Sequence, residues 1–343
     1  MVDHVLKSHR GNRIKKFKLR MPGGGNFENW FEFAITKKAE IIHLGGVGNF
    51  DYEGLFLRLP NKNNGFDCLK NLYLSHSKMT DHDFELLISN CLVLECLAIV
   101  LCIKLKNVSI VGHSKLKHLN LSFLWGIGSI MIRDAINLLS LTCCEWRIGC
   151  SVQLSNIPKL SKLDVRDNIR NKVTHVQLLD GMPSCVRDQL QLLRLSSKAV
   201  SMYELNLELL KNSSLQLVNI KHLELVLDMS NDPNWYYFPR YACRLVEACR
   251  SLQKLVIKFL HTPTLILTEF ETETYGHPGC DLSQKYLEIS GYSGSSSERE
   301  LTLYVFSNAT ALQKLTVVAC DEEALSRARL DFEHINSVSF FSY

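Results

Sequence analysis

Leu94-Glu-Cys-Leu97-Ala-Ile99-Val-Leu-Cys102 reads as L-x-x-L-x-L-x-x-C, with Ile99 in place of the third leucine. Leu97 and Ile99 are two apart on a short strand, so both side chains point to one face. Leu94 sits at the turn entering the strand and Cys102 at the turn leaving it. At that ninth position a Cys or Asn can turn inward and bond backbone groups that a curving chain leaves without partners. An unpaired polar group buried there costs about 1–3 kcal/mol.

The frame recurs as Leu69-Leu72-Leu74, Leu116-Leu119-Leu121, Ile136-Leu139-Leu141-Cys144 and Leu160-Leu163-Val165-Asn168. It continues as Leu190-Leu193-Leu195, Ile220-Leu223-Leu225, Leu252-Leu255-Ile257 and Leu312-Leu315-Val317-Cys320. Weaker copies are Ile14-Phe17-Leu19, Ala39-Ile42-Leu44 and Gln284-Leu287-Ile289. From Ile14 to Leu312 the first positions advance by roughly 27 residues per copy, inside the window for leucine-rich repeats. Cys102, Cys144, Asn168 and Cys320 fall at the ninth position and check the phase. The expected fold is an α/β solenoid, a leucine-rich repeat horseshoe with parallel strands on its concave face.

The chain has 343 residues, 46% hydrophobic and 22% charged, ample for a sizeable core. A net charge of +4 does not form the concentrated basic face that nucleic acid requires. One local run, Arg10, Arg13, Lys15, Lys16, Lys18 and Arg20, carries no acid. It reads as the solvated side of an edge strand, where lysine opposes strand-to-strand aggregation, or as a basic patch for a partner. The N-terminus has no apolar core of a secretory signal. The most apolar run, Cys91 to Ile103, is interrupted by Glu95 and too short to span a bilayer. Twelve cysteines in such a chain are expected as reduced thiols, in the cytoplasm or nucleus.

Val2 to His9 reads as a short helix and Ile14 to Leu19 as the first strand, with a break at Pro22-Gly-Gly-Gly25. Phe27, Trp30, Phe31, Ala34 and Ile35 mark the apolar face of a helix ending near Lys38, before a strand at 40–44. Gly45-Gly-Val-Gly48 lacks the spacing of a phosphate-binding loop, and no helix opens on it, so it reads as an ordinary loop. Thr80 caps a helix reaching Cys91, with Phe84, Leu87 and Ile88 inward. Between Leu116 and Cys150 the units shorten, and their backs are expected to be extended segments. After the strand at 220–227 comes an insertion whose Trp235, Tyr236, Tyr237 and Phe238 form the densest aromatic cluster of the chain. These four are the candidate partner-binding residues, since Trp and Tyr anchor interfaces. The alternative is a lid packed over the sheet. Tyr241 to Arg250 reads as helical with Leu245, Val246 and Cys249 inward. Residues 261–280 read as a long excursion, and Gly291 to Glu298 as a flexible loop before a last helix–strand unit. The expected organisation is N-terminal capping repeats at 1–48, a solenoid at 49–282, and C-terminal repeats with a cap at 283–343.

Cys143, Cys144 and Cys150 offer neither a C-x-x-C pair nor a histidine pair at metal spacing, so no metal is expected. His76 and His82, beside Asp81 and Asp83, flank a helix cap and read as surface. No nucleophile motif or phosphate loop appears, so neither catalysis nor a cofactor is expected.

Three stretches resemble a known family. Val2-Asp-His-Val-Leu6 through Ile14-Lys-Lys-Phe17 resembles the segment that follows the F-box in plant F-box/LRR proteins of the FBD type. Trp30-Phe-Glu-Phe-Ala34 through Leu44 is similar to that family's W-x-x-x-A-x-x-x-x-V-x-x-L-x-L unit. Leu287-Glu-Ile-Ser-Gly-Tyr-Ser-Gly294 through Leu315 looks like its terminal FBD segment. The resemblance implies a substrate-recognition module of a cullin E3 ubiquitin ligase, holding a protein on its concave face or loops. In that family a Skp-type adaptor binds the F-box, which should precede Val2; adaptor binding is therefore not expected of this polypeptide. The alternative is a free-standing receptor for a small molecule or hormone.

Overall fold

Leu72, Leu97, Leu119 and Leu141 lie side by side in one hydrogen-bonded row, and Leu74, Ile99, Leu121 and Cys143 in the next. All eight are buried. Parallel strands in register stack equivalent side chains, so each repeat completes the apolar face of its neighbour. The computed structural model describes residues 2–22, 27–47, 65–124, 126–144, 150–166, 175–197, 215–228, 237–260, 284–335 and 338–342. They fall into two units, Met1–Leu160 and Ser161–Tyr343.

The first unit runs α1 (Val2–Ser8), β1 (Lys16–Pro22), α2 (Phe27–Thr36), β2 (Ile41–Val47), β3 (Asn71–Ser77), α3 (Asp81–Asn90), β4 (Cys96–Cys102), β5 (Asn107–Val111), β6 (His118–Leu124), β7 (Ser129–Arg133), β8 (Ser140–Cys144) and β9 (Ser151–Ser155). Its main sheet has the order β1-β2-β3-β4-β6-β8. The strands β5-β7-β9 form a second parallel sheet that buries Val108, Ile110, Ile130, Ile132 and Leu154. The short repeats are thus strand-backed, as expected for Leu116 to Cys150, while α2 and α3 back the earlier ones. The residues expected on the inner face of α2 are all buried. At α3, Thr80 Oγ1 accepts from the Asp83 amide at 3.2 Å, and the Asp83 carboxylate accepts from the Thr80 amide at 3.1 Å. This reciprocal pair satisfies two donors that a helix start otherwise leaves open.

The strand exits explain the ninth position. Residues three apart on a regular strand face opposite sides, yet Ile99 and Cys102 are both buried. Between them Leu101 adopts φ 58°, the left-handed region. That residue reverses the pleat and turns Cys102 inward, where its thiol donates to the Met79 carbonyl at 3.4 Å. His76 (φ 56°) and Phe123 (φ 56°) occupy the same place, and Ser77 and Leu124 turn inward opposite Cys102.

The second unit runs β10 (Lys162–Arg166), α4 (His175–Asp180), α5 (Ser184–Arg187), β11 (Leu192–Ser197), β12 (His222–Asp228), α6 (Tyr237–Ala248), β13 (Lys254–Leu260), β14 (Tyr286–Tyr292), α7 (Ser296–Asn308), β15 (Lys314–Ala319), α8 (Glu322–Asp331) and β16 (Val338–Ser342). Its strands β10 to β16 are parallel and adjacent in chain order. Leu163, Leu193, Leu223, Leu255, Leu287 and Leu315 form one row, all buried. In α6, Leu245 and Val246 are buried, as is Cys249 just beyond it. His175 is buried on α4 with Nδ1 3.2 Å from the Tyr241 hydroxyl. Burial pushes its pKa down to about 4, and a backbone hydrogen bond with Ser196 only partly opposes this.

Several expectations are corrected. The register pairs Leu119 with Leu141 and Leu121 with Cys143, so the fifth copy is Leu138-Leu141-Cys143. Leu138 is buried while Ile136 is 43% exposed. Cys144 therefore stands one residue past the second core row and not at a ninth position. In β15 the alternation is unbroken, so Leu315, Val317 and Ala319 are all buried and Ala319 pairs with Tyr292. Cys320 is half-buried, with its thiol 3.5 Å from the Asp321 carboxylate. The first strand begins at Lys16, because the Ile14 amide bonds the Lys37 carbonyl instead. Gly45 and Gly46 continue β2, paired with Arg20 and Met21. A Cβ on Gly45 would lie 2.8 Å from Ser75 Oγ, so glycine here permits close packing inside the strand. Of residues 291–298, only 293–295 form a connection; 291 and 292 end β14 and 296–298 begin α7. A further copy, Ile335-Val338-Phe340, supplies β16. Asn168, Trp235, Tyr236, Gly48 and the excursion 261–280 lie outside the described residues.

Two outcomes follow from this core. Leu97→Ala is expected to lower unfolding free energy by roughly 2–5 kcal/mol in urea titrations, whereas Leu92→Ala, at a 69% exposed position, changes it by less than about 0.5 kcal/mol. Between pH 6.5 and about 4 the unfolded chain binds a proton that buried His175 refuses. Its contribution is complete above pH 6.5 and falls away with acid, reaching a loss of roughly 3 kcal/mol near pH 4. Titrations at stepped pH should show this acid-side slope in the native chain and a clearly shallower one in His175→Gln, with the slopes of His43 and His222 remaining.

Candidate partner-binding surface

Side chains between the two core rows point to the opposite face of the sheet. In the first unit this row is Lys18, His43, Tyr73, Ala98, Asn120 and Thr142, one residue per strand. The row before it is Lys16, Ile41, Asn71, Cys96, His118 and Ser140. The two rows from β2 to β8 line an open groove of about 340 Å³. The His43 and Tyr73 rings are stacked, 4.0 Å between centroids and tilted by 33°. Ala98, the smallest side chain of its row, leaves depth between Tyr73 and Asn120. The Ser122 hydroxyl donates to the Asn120 side-chain oxygen, and His118 Nδ1 lies 2.7 Å from Ser140 Oγ.

Partial burial lowers the pKa of His43, and Lys18, Lys16 and Arg20 lower it further, so the ring is neutral at pH 7. Burial raises the Cys96 pKa, with Glu95 adding to the effect, so the group stays a thiol. Both acids at the strand entries are paired. Glu40 meets Arg13 at 2.9 Å and Lys70 at 3.1 Å, and Glu95 meets Lys117 at 2.7 Å. Hydrogen bonds from Lys70 and Lys117 lower the pKa values of Glu40 and Glu95 respectively.

The corresponding face of the second unit is charged and self-paired. Asp164 pairs with Arg166 at 2.8 Å, Arg194 with Glu224 at 3.4 Å, and Lys254 with Glu288 at 2.8 Å. Of the aromatic cluster expected to bind a partner, Tyr237 and Phe238 open α6. The structure describes the side chains of none of the four. The row His43, Tyr73, Ala98, Asn120 and Thr142 was not singled out from sequence. Its signal is the middle x of each L-x-L, which becomes a surface only when the copies are stacked in register.

A second construction lies at the exit of β14. Gly291 has φ 75°, and a Cβ there would stand 2.3 Å from the Phe259 carbonyl oxygen. As at Leu101, the left-handed residue turns its successor inward: Tyr292 is buried, packs on Phe332 at 5.5 Å, and donates to Asp331 at 2.6 Å. Arg299 pairs with the same carboxylate at 2.9 Å. One carboxylate oxygen of Glu298 accepts from the Ser293 amide at 2.7 Å, the Gly294 amide at 3.2 Å and the Ser293 hydroxyl at 3.0 Å. The Ser295 hydroxyl in turn accepts from the Glu298 amide and starts α7. The glycine, tyrosine and glutamate of this stretch hold the last repeats together.

Among the described residues, no cluster of three or more His, Cys, Asp or Glu side chains could hold a metal ion. No described helix is long and apolar enough to cross a membrane.

Residues 47–179 match the family model described as FBD-associated F-box protein At5g56370, LRR repeats, and residues 277–317 match the FBD model. No curated protein matches the chain. The chain thus resembles FBD-associated F-box proteins over these two segments, with their open, parallel, leucine-rich repeat fold, and the segments are those of a protein-interaction module. The stretch read from Leu287 onward as FBD-like falls within the second match.

The Gly291 geometry has a direct test. Gly291→Ala is expected to destabilise by at least about 2 kcal/mol, since the added methyl meets fixed backbone as well as an unfavourable φ. Gly126→Ala, at φ 100° with nothing within 4 Å of its Cβ, should cost clearly less in the same melts.

Proposed function

We propose that this chain is the recognition part of an F-box/LRR-type receptor, holding a protein substrate for a cullin ubiquitin ligase on the first unit's sheet face. The observation carrying this reading is the row His43, Tyr73, Ala98, Asn120 and Thr142. It presents a stacked ring pair, a depression and hydrogen-bonding groups to solvent, while the second unit's face pairs its own charges. Aromatic groups beside neutral hydrogen-bonding side chains suit a protein interface core, where charge is depleted. The work assigned to the chain is binding, not catalysis. The groove volume reaches the lower end of small-molecule sites, roughly 300–1,000 Å³, which favours the hormone-receptor alternative. Its openness along the sheet favours a protein partner over a ligand that must be enclosed.

Cross-linking mass spectrometry on the full chain in cell extract tests this, comparing it with Ala98→Arg, which fills the depression without touching the core. Partners linked to the first unit's face and lost in Ala98→Arg are the expected result. Recovery of adaptor and cullin with them supports the ligase role. An unchanged set of partners in Ala98→Arg would remove this face from consideration.

A further inference from the structure

We propose that the first unit's sheet face takes an acidic, extended segment of a partner protein, its carboxylates on Lys16, Lys18 and Arg20 along β1 and the chain beyond them crossing the sheet over the His43–Tyr73 stack toward Ala98. The inference rests on the reading above and names the chemistry of the partner.

Lys16, Lys18 and Arg20 are exposed alternate residues of β1, the edge strand of the first unit's sheet, while Phe17 and Leu19 take the half-buried positions between them. Among the described residues none of the three is in an ion pair. Of the described acids at the strand entries, Glu40 is committed to Arg13 and Lys70, and Glu95 to Lys117. Lys18 pairs in register with His43, which leads directly to Tyr73 and the depression at Ala98. Burial first, and then the neighbouring Lys18, Lys16 and Arg20, hold the His43 pKa down. The face therefore has a positive margin and a neutral, partly aromatic floor.

The spacing selects an extended chain over a small anion. Alternate residues on a strand lie about 7 Å apart, so the three cations span roughly 13 Å. A phosphate-sized ion can meet one of them, or two with side-chain bending. A peptide in β conformation with acids at alternate positions repeats the same interval and can meet all three. The second unit offers no such match: none of its described strands carries three alternate cations, and Arg194 and Lys254 are already paired on its face.

The test is fluorescence anisotropy with the full chain and a labelled short peptide alternating Glu and Ala. Saturable binding that weakens severalfold with added salt is expected. Lys16→Glu/Lys18→Glu/Arg20→Glu should weaken it by at least about tenfold. Lys314→Glu, an exposed change in the second unit, should leave it unaltered, and circular dichroism melts check that each variant folds. The proposal is overturned by no binding of the acidic peptide, by equal binding of a Lys–Ala peptide, or by an unchanged affinity in the triple variant. It is equally overturned by displacement with millimolar inorganic phosphate, or by tighter binding of single-stranded oligothymidylate. Partner capture in the preceding experiment separates the two ideas. Loss in Ala98→Arg but not in the triple variant keeps the face and rejects the acidic partner; loss in neither rejects both.

Discussion

A strand cannot place residues three apart on one face unless something interrupts its pleat. In this protein the interruption is a single left-handed residue at the strand exit, His76, Leu101 or Phe123, and Gly291 in the second unit. Each sends the following side chain inward, so the core row is closed at its downstream end by Ser77, Cys102, Leu124 or Tyr292. Leucine rows give the sheet its apolar floor, and the exits bend the chain off that floor toward its backing layer. The left-handed state costs a non-glycine residue roughly 1–2 kcal/mol, which the inward contacts must outweigh at every such repeat.

The two units use one scaffold with opposite surface electrostatics. In the second, charges on adjacent strands neutralise one another across the sheet, and exposed pairs of this kind contribute little stability. On the first unit's open face the described ion pairs lie at the strand entries, leaving an aromatic and amide row with a cationic margin. The segment matching the FBD model supplies Glu288 to the second unit's face. Its Gly291, Tyr292 and Glu298 are spent on a turn, a buried hydroxyl and a helix start.

The leucine rows were readable directly from residues such as Leu97 and Ile99, because burial on one face demands a fixed interval. The frame failed where two fits competed. Leu138, Leu139 and Leu141 satisfy both, and Cys143, not Cys144, proved to be the inward partner of Leu121. The ninth position was sought by residue type, whereas geometry sets it, and Leu101 or Phe123 carries no signature of a left-handed turn. Glycine-rich stretches were read as loops, yet Gly45 and Gly291 sit within strands because neighbouring atoms leave no room for a Cβ. The surface row stayed hidden for another reason. His43 and Tyr73 are thirty residues apart in the chain and become neighbours only through strand register.

Where strands form both layers, the period is constant. Leu97, Leu119 and Leu141 are 22 residues apart, as are the hydrogen-bonded pairs Glu95–Lys117, Asn107–Ser129 and Asp134–Asn156. Front and back layers therefore advance together. A gene duplication or deletion of one such length would add or remove a rung from both sheets and return every remaining side chain to an equivalent neighbour. This stretch is the part of the molecule whose length evolution can change in whole units while leaving its cross-section intact.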